Sequence, residues 1–400
     1  MKFSMKGSQK PLLIRVSTVP LSLHKLLKGQ MRYMQENGFL VHLVSSPGPE
    51  ITAVIASEGC GLTRIAMTRN ITPFQDFISL VRLWFLFFKM KPAIIHTHTP
   101  KAGLLGMLAA SLAGVPIKLH TIAGLPWMET KGIKKILLKQ FERLTISLST
   151  RVHVNSQHLL NFLHFERLDP KPSKLKLIGH GSSNGIDTDH YSRANVSVEQ
   201  IDALRKVAKP GNYAFVWLFV GRMVGDKGIL ELIEAFLHVQ TQHPEDQLWL
   251  VGPFEKKDRL KPSLLNTINN NKNIITWGYC DEVRPFFVAA DVLVFPSYRE
   301  GFPNVPMQAA AMECPMILSD INGCNEIVEH NVNGLLVPVK NPDSLADAML
   351  FIRNNPDLRK SFADNSLAII KKKYSNSAIW RLLEAEYNEL LVSQKNKKYA

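Results

Sequence analysis

Short β-branched runs alternate with amphipathic segments along nearly all of the 400 residues, and this alternation restricts the fold more than any other feature. A parallel strand can be reached from its neighbour only by a crossover, so the pattern builds βαβ units. In the first half, strands are predicted at 12–17, 40–44, 93–96, 117–120, 152–155 and 175–178. Helices are predicted at 27–37, closed by Gly38, and at 101–113, closed by Gly114 with Pro116 beyond. The alternation restarts with strands at 215–220, 247–251, 274–278, 291–296, 316–319 and 335–337, and helices at 228–240, 283–290, 342–354 and 377–392. The expected architecture is α/β: two doubly wound, Rossmann-like parallel-sheet domains facing across a cleft, with ligands beyond the carboxyl ends of the strands. The first domain is expected over 1–185 and a linker over 186–211, closed by Lys209-Pro210-Gly211. The second is expected over 212–370, followed by a helix returning toward the first domain and a basic tail that frays, 371–400.

Charge divides unevenly between the halves. Residues 1–180 hold 24 Lys and Arg against 8 Asp and Glu, whereas residues 181–400 hold 24 against 26. The whole positive excess therefore lies in the first half, and a one-sided basic field points to phospholipid, a lipid diphosphate or nucleic acid. No recognised nucleic-acid module or interleaved aromatic platform accompanies it, so no nucleic-acid partner is expected. The greasiest stretch, FISLVRLWFLFF at 77–88, falls short of the roughly 20 residues of a spanning helix. It reads as a core helix or as one lying against lipid. The segment 132–144 alternates cations with Ile and Leu, a pattern suited to an interfacial helix. Cys60, Cys280, Cys314 and Cys324 show no CxxC spacing, and the amino end has too short an apolar run for a secretory signal. A cytoplasmic protein associated peripherally with the inner face of the membrane is expected.

The strongest chemical signal is Ser297-Tyr298-Arg299-Glu300-Gly301-Phe302-Pro303-Asn304, where a buried strand runs into a loop and then a small-residue helix. Asn304 is expected to cap that helix, whose free N–H groups favour a diphosphate. Glu300 repels phosphate and is suited to accept hydrogen bonds from sugar hydroxyls. Upstream, the strand at 215–220 ends in Gly221-Arg222-Met223-Val224-Gly225-Asp226-Lys227-Gly228. Arg222 and Lys227 there supply a fork and a point charge for a diphosphate leaving group.

These GR(x4)K and E-G-F-x-N pieces resemble the second domain of GT-B retaining glycosyltransferases of the glycosyltransferase-4 type. HTHTPKAGLLGMLAA at 96–110, HTIAGLP at 120–126 and GHGSSNGID at 179–187 look like the subgroup extending undecaprenyl-diphosphate-linked sugars for capsule, O-antigen or glycoprotein glycans. The resemblance runs from about residue 12 to residue 370. It implies that Arg222 and Lys227 bind the diphosphate of a nucleotide-sugar, in all expectation a uridine one, and that Glu300 contacts the donor sugar. Gly221, Gly301, Phe302, Pro303, Asn304, Tyr279 and His180 are then expected around the donor. Gln308 stands where the family usually carries an acid on the ribose, and an amide is also able to bond hydroxyls.

His120 resembles the family's cleft histidine and joins Glu300, Arg222 and Lys227 in the expected catalytic set. Thr18, His98 and Lys101 are expected on the acceptor side. No metal or other cofactor is expected: His96 and His98 share a strand face but lack a third ligand, and Asp187-Thr188-Asp189 is read as a hinge or a helix cap. A nucleotide-sugar 2-epimerase shares the architecture but needs paired carboxylates beside the sugar, which the sequence does not offer.

Overall fold

The computed structural model describes residues 10–68, 70–169, 172–208, 215–255 and 258–399. The chain forms two compact units, Met1–Gly185 with Asn376–Ala400, and Ile186–Ser375.

Unit 1 holds a seven-stranded, wholly parallel sheet in the order β3-β2-β1-β4-β5-β6-β7. Its strands are β1 (Leu12–Ser17), β2 (Leu40–Ser45), β3 (Gly61–Arg64), β4 (Ile94–His98), β5 (Ile117–Ile122), β6 (Arg151–Val154) and β7 (Leu175–Leu177). Between them run α1 (Pro20–Leu26), α2 (Gln30–Glu36), α3 (Ile51–Glu58), α4 (Pro73–Met90), α5 (Pro100–Leu112), α6 (Gly132–Leu148) and α7 (Gln157–Phe165). Winding reverses between β1 and β4. Right-handed crossovers therefore send α1 to α3 to one face and α4 to α6 to the other, and α4 packs on α5 and α5 on α6. The two-residue period of β1 sends Leu13 into the core under α2 and Ile14 into the core under α4 and α5.

In unit 2 six parallel strands follow the order β10-β9-β8-β11-β12-β13, reversing between β8 and β11. They are β8 (Val216–Val220), β9 (Gln247–Val251), β10 (Ile274–Gly278), β11 (Val292–Phe295), β12 (Met316–Ser319) and β13 (Leu335–Val337). Its helices are α8 (Val198–Ala208), α9 (Ile229–Gln242), α10 (Pro262–Asn270), α11 (Arg284–Ala289), α12 (Asn304–Ala311), α13 (Cys324–Ile327), α14 (Pro342–Asn354) and α15 (Pro356–Ile369). The last helix of the chain, α16 (Asn376–Tyr399), belongs to unit 1.

Several expectations change. The segment from Ile186 is part of unit 2: Ile186 is buried, its N–H donates to Tyr374 O at 2.8 Å, and Val196, Ile201 and Leu204 pack on the core. Its apolar side chains find a surface that a free linker lacks. The expected closing turn at 209–211 lies outside the described residues. The tail expected to fray continues α16 to Tyr399. The helix predicted at 27–37 starts only at Gln30, with α1 as a separate helix before it, because Gly29 stands at φ +82° with the Trp380 ring 2.8 Å from where a Cβ would stand. β3 has no apolar run, and α15 has no strong stripe.

The greasy stretch forms α4, but only Ser79, Leu83 and Phe87 are buried. Phe74 is 81% exposed, Phe77 64%, Phe85 61% and Phe88 59%. One stripe spaced by four residues is all that contact with a flat layer can cover, so the core-helix expectation fails on the outer face. On α6, Ile133 and Ile136 are likewise exposed. No described helix is long and apolar enough to cross a membrane.

Candidate functional site

Ligands of open parallel sheets gather where the winding reverses, because adjacent loops there turn away from each other and leave a crevice. In unit 2 that place is the carboxyl end of β8 and β11. The two loops are held close by glycine. Gly228 has φ +68°, and a Cβ would stand 2.1 Å from Pro296 O. Tyr298 N–H donates to Asp226 O at 2.9 Å, and Arg299 Nη2 reaches Asp226 Oδ2 at 3.0 Å. This brings Lys227 Nζ to 2.5 Å from Glu300 Oε1, with both side chains only 15% exposed. Arg222 leaves the same strand end and lies 3.6 Å from Glu255 Oε1, with a half-exposed guanidinium. Loose exposed pairs hold little energy, so Arg222 is readily given up to an anion.

α12 starts differently from expectation. Pro303 is the N-cap and Asn304 is the first helical residue, with no side-chain capping bond. Pro303 and Pro306 carry no N–H, so the unpaired donors of the first turn are those of Asn304 and Val305. Asn322 Nδ2 fixes the preceding loop by donating to Glu300 O at 3.1 Å and Gly301 O at 2.9 Å. Phe302 packs on Tyr374, ring centroids 5.3 Å apart. Gln308 Nε2 donates to Tyr191 Oη at 2.7 Å. Gly221 follows β8 with its carbonyl against Gly252, and exposed Tyr279 donates to Asp281.

Unit 1 reverses between β1 and β4, where Thr18 Oγ1 lies 2.6 Å from Thr99 Oγ1. Thr99 has φ 74° and ψ 144°, a conformation that favours glycine and costs a β-branched residue roughly 1–3 kcal/mol. Beneath these threonines lies a buried polar network. Arg15, fully buried, donates to Tyr387 Oη at 2.7 Å, to Gln30 Oε1 at 2.6 Å and to His98 Nε2 at 2.6 Å. His96 bonds Tyr387 Oη at 2.6 Å and Thr121 at 2.7 Å. Burial, reinforced by the Arg15 charge, holds His96 and His98 well below the ordinary histidine range, so both rings are neutral. A cavity of about 20 Å³, room for about one water, adjoins Arg15, His98, His153 and Asn155.

Two expected contacts in unit 1 are corrected. His120 is 2% exposed and points into the layer of α5 and α6, because alternation along β5 sends its neighbour Thr121 to the opposite face. Its Nδ1 bonds Thr97 Oγ1 at 2.8 Å, and Nε2 faces Glu142 Oε1 at 3.9 Å. Burial lowers His120 to about 4 and raises Glu142 to about 7. Between those values both are neutral, so their proximity is no ion pair. Lys101 binds both Asp76 oxygens, at 2.7 and 2.9 Å, and also Thr68. It ties α5 to α4 and is not an open phosphate ligand. His180 lies exposed in the turn after β7.

Comparison with known proteins fixes the family. Residues 25–181 match the model of the glycosyl transferase 4-like domain, and residues 214–355 that of glycosyl transferases group 1. The capsular polysaccharide biosynthesis glycosyltransferase CapM of Staphylococcus aureus is 32% identical over 372 residues, spanning 93% of this chain and 96% of its own. This chain belongs to the group 1 glycosyltransferases. The glycosyltransferase is also 28% identical, over 86% of each chain, to the UDP-Gal:alpha-D-GlcNAc-diphosphoundecaprenol alpha-1,3-galactosyltransferase of Escherichia coli. Its fold matches that of Anabaena HepE, solved with UDP, at TM-score 0.78 and 18% identity, over 94% of this chain and 99% of that one.

In the glycosyltransferase the unit 2 loops put a cation, suited to an anion, and a carboxylate, suited to hydroxyl donors, in one partly desolvated place. Sequence reasoning missed Arg15, Thr99, Glu142, Tyr191 and Asn322. Arg15 alone left a signal: a single cation inside the run LLIRVS must find buried partners.

Proposed function

We propose that this glycosyltransferase moves a sugar, with retained anomeric configuration, from a uridine diphosphate-sugar to a saccharide carried on undecaprenyl diphosphate. Bacterial surface polysaccharide assembly is the setting. The observation that carries this reading is the Lys227–Glu300 pair at the β8–β11 reversal. A diphosphate arriving there takes Lys227 and Arg222, and Glu300, released, accepts from the donor sugar's hydroxyls. Gln308 meets the ribose. The bond from the anomeric carbon to the diphosphate breaks as the new glycosidic bond forms, and the departing phosphate oxygen takes the acceptor hydroxyl's proton on the same face. The two cations and the N–H groups of Asn304 and Val305 stabilise that departure, the work a metal would otherwise do.

Support for the substrates comes from the relatives: one is named for UDP-Gal and a diphosphoundecaprenol acceptor, and one structural neighbour holds UDP. The acceptor side is proposed at the β1–β4 reversal, around Thr18 and Thr99, above His98. Unit 1 is proposed to rest on anionic phospholipid of the inner leaflet through the exposed apolar faces of α4 and α6. Arg82, Lys89, Lys131, Lys134 and Lys135 accompany those faces, and each cation near an anionic surface contributes about 1 kcal/mol.

Joint replacement Arg222→Ala and Lys227→Ala is expected to lower transfer from UDP-sugars about a hundredfold or more in a radiolabelled-donor assay. Transfer at the wild-type rate by that double variant sinks the diphosphate assignment.

A further inference from the structure

We propose that Tyr191 is a positioning residue that fixes the Gln308 carboxamide so that its oxygen, not its nitrogen, meets the donor ribose. This assignment rests on the nucleotide-sugar reading above, since ribose enters only with the nucleotide. A freely turning amide presents either two donors or an acceptor to its ligand. Here Nε2 is committed to Tyr191 Oη at 2.7 Å. The part-exposed side chain leaves Oε1 without a hydrogen-bond partner among the described residues. Its outward edge is then an acceptor, as a carboxylate's would be, and donation from ribose hydroxyls is what such an edge selects.

Tyr191 is itself held in place. Its N–H donates to Asp187 O at 2.8 Å. Asp187 Oδ1 accepts from the N–H groups of Asp189 at 3.1 Å and His190 at 2.9 Å, closing a turn on the side chain. Arg284 Nη1 donates to His190 O at 3.0 Å, and the His190 ring stands edge-on to Tyr191 with centroids 4.9 Å apart. Burial raises the phenol's pKa, so the hydroxyl keeps its proton. The Asp187-Thr188-Asp189 tripeptide therefore works as a turn that aims a tyrosine.

Calorimetric titration of UDP and of inorganic diphosphate into wild type, Tyr191→Phe, Gln308→Leu, the double variant and Gln308→Glu tests this. Tyr191→Phe is expected to weaken UDP about fivefold to tenfold and to leave inorganic diphosphate unchanged, because that ligand has no ribose. The double variant is expected to bind UDP no more weakly than Gln308→Leu alone, since the tyrosine acts only through the amide. Gln308→Glu is expected to keep UDP affinity within about threefold, the Tyr191 hydroxyl turning to donate to the carboxylate. Unchanged UDP binding by Tyr191→Phe overturns the proposal. So does an equal loss for both ligands, which marks general damage. A loss in Gln308→Glu as large as in Gln308→Leu overturns it too, because the ribose would then need the amide's N–H. Wild type that binds neither ligand removes the nucleotide-sugar reading along with it.

Discussion

At the scale of single residues, burial sets charge states that sequence proximity does not announce. Glu142 keeps its proton up to about 7 because α6 seals it against β5. In the unfolded chain the same carboxyl ionises near its ordinary value, so the unfolded state releases its proton first as pH rises. Stability is therefore lost between the ordinary carboxyl range and about 7, by an amount on the order of 3 kcal/mol. Glu142→Gln is expected to remove that slope: its advantage in thermal midpoint over wild type should widen from pH 4.5 to 7 and then level off. An offset that does not change with pH would contradict the buried neutral carboxyl. His120 acts in the opposite direction: depressed to about 4, it destabilises the fold as pH falls below the ordinary histidine range. Its motif was legible, but its direction was not, because only the pleat of β5 decides which face of the sheet the ring joins.

Among the elements, α4 shows what hydrophobic periodicity cannot tell alone. Its run is apolar on most faces, and sequence left open a core helix or a lipid-facing one. The tertiary layer excludes a wholly buried helix, since α4 packs on α5 and leaves Phe74, Phe77, Phe85 and Phe88 outward. Replacing Phe77 and Phe85 together by Ser is expected to leave thermal stability within about 0.5 kcal/mol, as for exposed positions generally. The same change should reduce flotation with anionic liposomes several-fold at low salt. Undiminished flotation would remove α4 from the proposed membrane contact. The loops at the β8–β11 reversal teach the opposite lesson. Gly221 to Gly228 and Glu300-Gly301 were readable as a pair from spacing, because glycines mark close backbone approach and the alternation marks strand ends.

Across the whole molecule, the chain returns to its first unit. α16 buries Leu383, Tyr387 and Leu390 in the unit 1 core, and Tyr387 is a hydrogen-bond partner of the fully buried Arg15. Truncation after Ser375 takes from Arg15 one of its three hydrogen-bond partners, a bond to a charged group worth about 1.5–3 kcal/mol, and opens an apolar face. The truncated protein is expected to lose a cooperative thermal transition belonging to unit 1 while unit 2 still unfolds cooperatively. Retention of both transitions in calorimetry would show that α16 is dispensable.

The order of residues by itself determined two parallel-sheet halves, their strand positions and the cation and carboxylate loops of the second half, because period, punctuation and glycine placement are local properties. Tertiary structure decided which faces the histidines join, that Lys101 is spent on Asp76, that Tyr191 meets Gln308, and that Tyr387 of the final helix bonds Arg15. Those outcomes depend on contacts between residues far apart along the chain, and no local pattern carries them.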